Sequence, residues 1–181
     1  LIGGAMSFTF LKALGYNVGQ SLVEHDMINV AKYILAKSSK NKAKIILPID
    51  FICSNKKDDN CIFRALNDIE KNDIGFDIGE GTIKIFKDII TKTDLVIWNG
   101  PLGLFEQKSY SLGTNTVAKS ISLLTAKKRI ASIICGGDTV SAITNLDMEN
   151  DFTHISTGGG ASLELLSGKK IQLLKSWELY E

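Results

Sequence analysis

Histidine, cysteine and proline are scarce in this 181-residue sequence, which contains two, three and two of them respectively. Neither histidine has a cysteine or a second histidine at ligand spacing, so nothing supports a structural zinc site. Cys53, Cys61 and Cys135 form no C-x-x-C pair, which argues against a disulfide framework and favours a reducing, cytoplasmic compartment. We expect each cysteine to be a small, buried hydrophobic side chain.

The sequence also lacks an excess of charge of either sign and a long apolar run. Lysine and arginine number 21 against 20 aspartates and glutamates, so no broad field would attract nucleic acid or a membrane surface. No apolar segment is long enough to span a bilayer, and no signal-peptide pattern opens the chain. We therefore predict a chain with no nucleic-acid or membrane partner and, with 44% hydrophobic residues, a substantial core.

Three familiar functional motifs are missing. No G-x-x-x-x-G-K-[S/T] occurs, which excludes a P-loop protein. Ser156 near His154 has no G-x-S-x-G elbow, so a nucleophilic serine is rejected. Gly79-Glu80-Gly81 lacks the third glycine of a dinucleotide fingerprint, and the first strand signal is not followed by one, which argues against a Rossmann-like oxidoreductase.

The residues that are present alternate between strand and helix signals. Short apolar runs predict strands at 44–47, 75–78, 95–98, 130–134 and 152–156. Apolar residues at helical spacing predict helices near 6–14, 27–35, 83–90, 117–124, 140–146 and 161–166. The charge-rich segment 56–59 is expected to be a solvated loop. This alternation predicts an α/β fold, a Rossmann-like three-layer sandwich with a mainly parallel sheet of about six strands.

Glycine-bearing loops follow several of the predicted strands. They lie at 3–4, 99–103, 136–137 and 158–160, and parallel strands would place them at one edge of the sheet. A strand that turns through glycine into a helix exposes N–H groups at the positive end of the helix dipole, which suits phosphate. Each turn by itself fits an ordinary strand-to-helix connection equally well, but four together favour a phosphate-bearing ligand.

Two acidic residues are placed to assist such a ligand. Asp138 directly follows the turn at 136–137, where a carboxylate would repel phosphate unless a cation such as Mg²⁺ lies between them. Glu106 ends the loop that starts at Asn99. Its carboxylate is equally consistent with hydrogen bonds to ribose hydroxyls and with an ordinary surface position.

Several segments together resemble the phosphoglycerate kinase family, and specifically its carboxy-terminal, nucleotide-binding domain. The resemblance covers nearly the whole chain except roughly its last dozen residues. It rests on Trp98-Asn-Gly-Pro-Leu-Gly-Leu-Phe-Glu106, Gly136-Gly-Asp-Thr139, Ser156-Thr-Gly-Gly-Gly-Ala-Ser-Leu-Glu-Leu-Leu166, Gly3-Gly-Ala-Met-Ser-Phe-Thr-Phe-Leu-Lys12, Leu47-Pro-Ile-Asp50 and Asp77-Ile-Gly79.

The resemblance implies reversible, Mg²⁺-dependent phosphoryl transfer between 1,3-bisphosphoglycerate and ADP in glycolysis, giving 3-phosphoglycerate and ATP. It implies that Glu106 binds the ribose, that Asp138 holds the metal and that the N–H groups of Gly137, Gly159 and Gly160 face the moving phosphoryl group. It further implies an adenosine pocket at Gly3, Gly4, Leu22, Pro101 and Leu104, and phosphate contacts at Gly136, Gly137 and Thr139, with Asn99 and Gly100 in the same nucleotide-binding set.

The resemblance also implies a division of the chain and of the whole protein. We predict a nucleotide-binding domain over residues 1–168 and a C-terminal tail over residues 169–181. Because Leu1 is no methionine and the family's amino-terminal, phosphoglycerate-binding domain is absent, we expect a monomeric fragment without transfer activity of its own. The alternative is a stand-alone nucleotide-binding module. Two positions depart from the family pattern, Cys135 in place of glycine and Glu80 in place of proline.

Overall fold

The computed structural model describes residues 1–40, 42–55, 58–156, 158, 160, 163–164 and 167–168. The chain divides into two compact units. The first unit contains Leu1–Lys92 and Pro101–Ser120, and the second unit contains Thr93–Gly100 and Ile121–Glu181. No described helix is both long enough and apolar enough to cross a bilayer.

Among its described residues, the first unit contains a three-stranded antiparallel sheet and several helices. Its strands are β1 (Asp50–Asn55), β2 (Asp58–Ala65) and β3 (Asp73–Ile78), in the order β2-β1-β3. Its helices are α1 (Gly4–Ala13), α2 (Ile28–Lys40) and α3 (Glu80–Ile90). The core lies where Phe8 of α1 stacks on Phe51 of β1, with ring centroids 4.8 Å apart.

The second unit contains a parallel sheet. Its strands β4 (Leu95–Asn99), β5 (Ala131–Cys135) and β6 (His154–Ser156) lie side by side in that order. Helix α4 (Leu112–Ala126) has its residues divided between the units at Ser120, and α5 (Gly137–Thr144) follows β5 directly. In the register, Asn99 is opposite Cys135, so the loops after β4 and β5 leave the sheet at the same level.

The prediction of an α/β fold is confirmed, but the sheet of about six parallel strands is wrong. Among the described residues the parallel sheet has three strands, and three other strands form the antiparallel sheet. The cause is the segment 50–65, which turns back on itself as a hairpin, and a short connection allows only antiparallel pairing. Asp58 and Asp59 therefore belong to β2 and not to a loop, while Lys56 and Lys57 lie outside the described residues.

Two further predictions for the first unit are wrong. Segment 44–47 is not a strand: the N–H of Ile2 donates to the carbonyl of Ile46 at 3.0 Å, but no ladder of successive pairs forms there in the described chain. Cys61 is exposed on β2, an edge strand of its sheet, whereas Cys53 and Cys135 are buried. All three cysteines are free thiols.

The predicted helices lie close to their predicted positions, but the residues they bury differ in part from the predicted apolar faces. In α1 the buried residues are the consecutive run Ser7–Leu11, and Met6 and Leu14 at its two ends are exposed, so position along this helix decides burial more than face does. Ala31 is the buried residue of α2. In α3 the predicted apolar face is buried, with Ile83, Phe86 and Ile90 in the core. The predicted helix 161–166 and the glycine at 159 fall largely or wholly outside the described residues.

Candidate functional site

The turn after β5 is built around a glycine in the left-handed conformation. Gly136 has φ of +88° and precedes the first residue of α5. A Cβ on Gly136 would overlap the Oδ1 atom of Asn99, the last residue of β4. The φ of Gly136 therefore favours glycine at this position, and the Oδ1 atom of Asn99 occupies the space that a Cβ would take.

Helix α5 presents its N-terminus at this turn. It starts at Gly137 with no side-chain cap, and the first N–H groups of any α-helix have no acceptor within the helix. Gly137 and Asp138 are exposed, and a Cβ on Gly137 would meet no atom within 4 Å. Free N–H groups, open space and the positive end of the helix dipole together favour binding of an anion such as phosphate.

Thr139 differs from its exposed neighbours on α5. Thr139 is fully buried, at 0% exposure, and its Oγ1 accepts a 2.7 Å hydrogen bond from the N–H of Gly100. The indole N–H of Trp98 donates to the carbonyl oxygen of Gly100, also at 2.7 Å. Gly100 is a left-handed residue with φ of +96°, at the end of the first segment of the second unit. Both its N–H and its carbonyl oxygen are therefore fixed by side-chain hydrogen bonds.

Asp138 is the acidic residue of this turn and lies in the first turn of α5. The described residues contain no group of three or more His, Cys, Asp or Glu side chains that could hold a metal ion. A single exposed carboxylate beside a phosphate-binding turn fits Mg²⁺, because proteins commonly bind this ion through one or two carboxylates together with substrate phosphates.

The predicted adenosine residues lie in the first unit, and the structure brings three of them together. Gly4 has φ of +59°, and a Cβ there would lie 2.7 Å from the carbonyl oxygen of Pro101. A Cβ on Gly3 would overlap the side chain of Leu102, the residue after Pro101. Leu22 is 68% exposed and Glu106 is exposed as well, so neither side chain is packed into this group.

The loop that carries Pro101, Leu104 and Glu106 is anchored through its backbone. The N–H of Leu102 donates to Oγ1 of Thr114 at 3.0 Å, and the N–H of Leu104 donates to the carbonyl of Phe76 at 2.8 Å. Both anchors belong to the first unit. The loop therefore has a fixed course, which is what presentation of a ligand-binding surface requires.

Sequence reasoning missed Asp77, which supports this loop from β3. Its carboxylate is buried and accepts 2.8 Å hydrogen bonds from the N–H groups of Ile78 and Gly113, while Gly103 packs against it so closely that a Cβ would overlap. Burial raises the pKa of Asp77 to about 6, although the two backbone hydrogen bonds oppose the rise. The signal was present in the motif Asp77-Ile-Gly79, to which no role had been given.

Trp98 was also overlooked as a functional candidate, because its place in an apolar strand indicated packing alone.

Of the three glycines predicted to face the phosphoryl group, Gly137 lies at the start of α5 and Gly160 is exposed, with nothing within 4 Å of a Cβ built on it. Gly159 lies outside the described residues.

This fold and site define an α/β protein in which glycine turns connect parallel strands to helices. The family model for phosphoglycerate kinase matches residues 1–169. The chain belongs to the phosphoglycerate kinase family.

Individual relatives agree with this assignment. The chain is 44% identical over 173 residues to phosphoglycerate kinase of Dictyoglomus turgidum, covering 94% of this chain and 43% of that protein. It is 47% identical over 171 residues to the Fusobacterium nucleatum enzyme, covering 93% and 42%. The chain thus spans less than half the length of the curated relatives it matches.

Solved structures show the same relationship. Phosphoglycerate kinase of Coxiella burnetii superimposes with a TM-score of 0.85 at 32% identity, over 92% of this chain and 43% of that one. The Pyrococcus horikoshii enzyme gives a TM-score of 0.81 at 26% identity, over 97% and 44%.

Proposed function

We propose that this chain is the nucleotide-binding, carboxy-terminal half of a phosphoglycerate kinase. The whole protein would transfer a phosphoryl group reversibly between 1,3-bisphosphoglycerate and ADP. The observation that carries the proposal is the turn at Gly136–Gly137, where the uncapped N-terminus of α5 lies beside the exposed carboxylate of Asp138. Helix N-termini of this kind bind phosphate through backbone N–H groups.

The residues proposed to contact the nucleotide differ in chemistry between the two units. In the first unit, Glu106 would hydrogen-bond the ribose, and Gly3, Gly4, Leu22, Pro101 and Leu104 would contact the adenosine. In the second unit, Asp138 would hold Mg²⁺, and the segments Asn99–Gly100 and Gly136–Thr139 would form the phosphate side. The glycines let the phosphates approach the backbone closely, since no Cβ intervenes.

The chemistry asked of these residues is positioning and neutralisation of charge. Phosphoryl transfer needs little covalent help from a protein, because the charge on the transferred group is the main obstacle. The N–H groups of Gly137, Gly159 and Gly160 would donate to the oxygens of that group as charge develops. Mg²⁺, when bound at Asp138, would neutralise charge on the nucleotide phosphates.

A stand-alone nucleotide-binding module without catalysis is the second candidate. Under either candidate we propose residues 1–168 as the nucleotide domain and 169–181 as a tail. We also propose a cytoplasmic monomer whose partners are the nucleotide and, through the amino-terminal half of the whole protein, phosphoglycerate.

The test is a calorimetric titration of Mg-ADP into the chain, repeated with ADP and EDTA. Wild type should bind Mg-ADP, and Asp138→Ala should weaken that binding by about tenfold while changing the EDTA titration little. Asp94→Ala, an exposed aspartate in the second unit ahead of β4, is the matched control and should bind like wild type. A folded wild-type chain that binds no nucleotide under either condition would refute the proposed function.

A further inference from the structure

We propose that Thr139 is a positioning residue, whose hydroxyl fixes the backbone of Gly100 and thereby aligns the end of β4 with the phosphate-binding turn after β5. The inference deepens the proposed function and rests on it. It assigns the Thr139 side chain a different task from the phosphate contact that the family resemblance implies.

The burial of Thr139 separates its side chain from the ligand side of α5. Asp138 and Gly137 are exposed in the first turn, whereas Thr139 is 0% exposed. Its Oγ1 already accepts the N–H of Gly100 at 2.7 Å, a normal length for this bond. The hydroxyl is therefore an internal connection, and the exposed backbone of the first turn remains the part of α5 that a phosphate can reach.

Gly100 needs this connection because of its conformation. Its φ of +96° is a region that L side chains rarely adopt, and the chain can take many other paths through a glycine. One path is selected by two hydrogen bonds, from the Gly100 N–H to Thr139 and from the Trp98 indole to the Gly100 carbonyl. We call Trp98, Gly100 and Thr139 the Gly100 clamp.

The clamp lies next to the phosphate-binding turn within the second unit. Asn99 pairs with Cys135 in the parallel register, and its Oδ1 lies in the space that a Cβ on Gly136 would occupy. A change in the course of residues 99–100 therefore displaces the side chain against which Gly136 is packed. Loss of the Thr139 hydroxyl should lower phosphate affinity through this displacement, although the hydroxyl itself touches no ligand.

The experiment compares Thr139→Val, which keeps the shape of the side chain and removes its hydroxyl, with Thr139→Ser, which keeps the hydroxyl. Amide hydrogen exchange of Gly100 is followed by NMR in the ligand-free chain, and Mg-ADP affinity is measured by calorimetry. Thr139→Val should lose protection of the Gly100 amide and bind Mg-ADP on the order of tenfold more weakly. Thr139→Ser should restore both. Thr144→Val, the same substitution at the exposed end of α5, is the control and should change neither.

Trp98→Phe tests the clamp from its other side and covers the case in which Thr139→Val does not fold. It removes the indole donor, so it should weaken Mg-ADP binding, and its effect should be less than additive with that of Thr139→Val. The inference is overturned if Thr139→Val weakens binding while the Gly100 amide stays protected, because the hydroxyl would then contact phosphate directly. It is also overturned if the amide loses protection and affinity is unchanged. Absence of Mg-ADP binding in wild type would instead refute the proposed function. The amide exchange of Gly100 in Thr139→Val would still show whether the Thr139 hydroxyl fixes the backbone of Gly100.

Discussion

At the scale of single residues, Gly136 and Gly137 are adjacent in the chain but are needed for different reasons. Gly136 combines a left-handed φ of +88° with a contact to Asn99 that leaves no room for a Cβ. Gly137 has open space around its Cα and lies in the first turn of a helix. The first glycine is a requirement of the fold, and the second is a requirement of the proposed ligand.

Alanine substitutions should separate these two requirements. Gly136→Ala should lower the free energy of unfolding by roughly 1–3 kcal/mol, because a left-handed alanine and its overlap with Asn99 are both unfavourable. Gly137→Ala should leave the free energy of unfolding unchanged or raise it by up to about 1 kcal/mol, since alanine favours helix over glycine. Urea denaturation of the two variants beside wild type gives these values.

Nucleotide binding completes the comparison of the two glycines. Gly137→Ala should be folded yet bind Mg-ADP more weakly, because its methyl group occupies the space a phosphate would use. A Gly137→Ala variant as destabilised as Gly136→Ala would contradict this division of roles.

The sequence located the turn but could not distinguish its two glycines. Gly136 differs by its left-handed φ and by its proximity to Asn99, which lies beside it because β4 and β5 pair in parallel. The role of Asp77 was hidden for the same reason, since Gly103 and Gly113 come to it from a loop and a helix further along the chain. One departure from the family pattern is easier to explain: Glu80 is the exposed first residue of α3, a position that accepts acidic residues as well as proline.

At the scale of elements, two helices begin against an aspartate from a strand of the first unit. Asp50 of β1 accepts hydrogen bonds from the N–H groups of Gly81 and Thr82 in the first turn of α3, both at 2.8 Å. Asp77 of β3 does the same for α4 through Gly113. Neither aspartate lies directly before its helix in the chain, since Asp50 is about 30 and Asp77 about 35 residues upstream, so neither could be found by the usual search for an N-terminal cap.

Asp77 should give the first unit a pH-dependent stability of defined sign. Its pKa in the folded chain, about 6, lies above its ordinary value of 3.8, so the folded state holds a proton that the unfolded chain has already released. This contribution is fully present below about pH 4 and is lost as pH rises through 6. The free energy of unfolding of wild type should therefore fall relative to Asp77→Asn as the pH is raised from 4 to 7.

Urea denaturation at pH 4, 5, 6 and 7 measures that difference, and subtraction of the variant removes the titration of all other groups. Asp77→Asn should also be less stable than wild type at pH 4. The hydroxyl oxygen of the protonated carboxyl can still accept a hydrogen bond, whereas the amide NH2 of asparagine would face one of the two backbone N–H donors and cannot accept from it. A difference between wild type and variant that is constant with pH would show that Asp77 has no raised pKa.

Elements with strong apolar periodicity were predictable from the sequence, and the others were not. Strands β4 and β5 and helices α3 and α4 lie where their apolar patterns placed them. The hairpin of β1 and β2 was missed because its outer strand carries charged and polar residues, such as Asp58 and Arg64, on a segment whose polarity is typical of a loop. The guanidinium of Arg64 forms a 2.7 Å ion pair with the buried carboxylate of Asp73. The two side chains come close because β2 and β3 both pair with β1.

At the scale of the whole molecule, the predicted nucleotide residues are distributed over both units. Gly3, Gly4 and the segment 101–106 belong to the first unit, and Asn99, Gly100 and the segment 136–139 belong to the second. The chain passes from one set to the other at the peptide bond between Gly100 and Pro101. Composition and periodicity could indicate the loops, but not this division, which depends on contacts among residues far apart in the chain.

We expect a protein that consists of these 181 residues to transfer no phosphoryl group at a measurable rate. It spans 43% of the Dictyoglomus turgidum relative, and the proposed acceptor-binding half lies outside it. A coupled assay with 3-phosphoglycerate and Mg-ATP measures the rate, and a full-length phosphoglycerate kinase serves as the positive control. Turnover by the chain comparable to that control would contradict both the inactivity and the assignment of phosphoglycerate to the other half.

The positions of the three thiols have a practical consequence for such experiments. Cys53 and Cys135 are enclosed in the two units, and burial raises the pKa of Cys53 to about 12, which leaves almost no reactive thiolate. Cys61 is exposed on β2 of the first unit. A maleimide reagent therefore meets a single accessible sulfur on the folded chain and three on the unfolded chain. One fluorophore can be attached at Cys61 without mutagenesis. The number of labels per chain, one for folded and three for unfolded molecules, then measures the unfolded fraction.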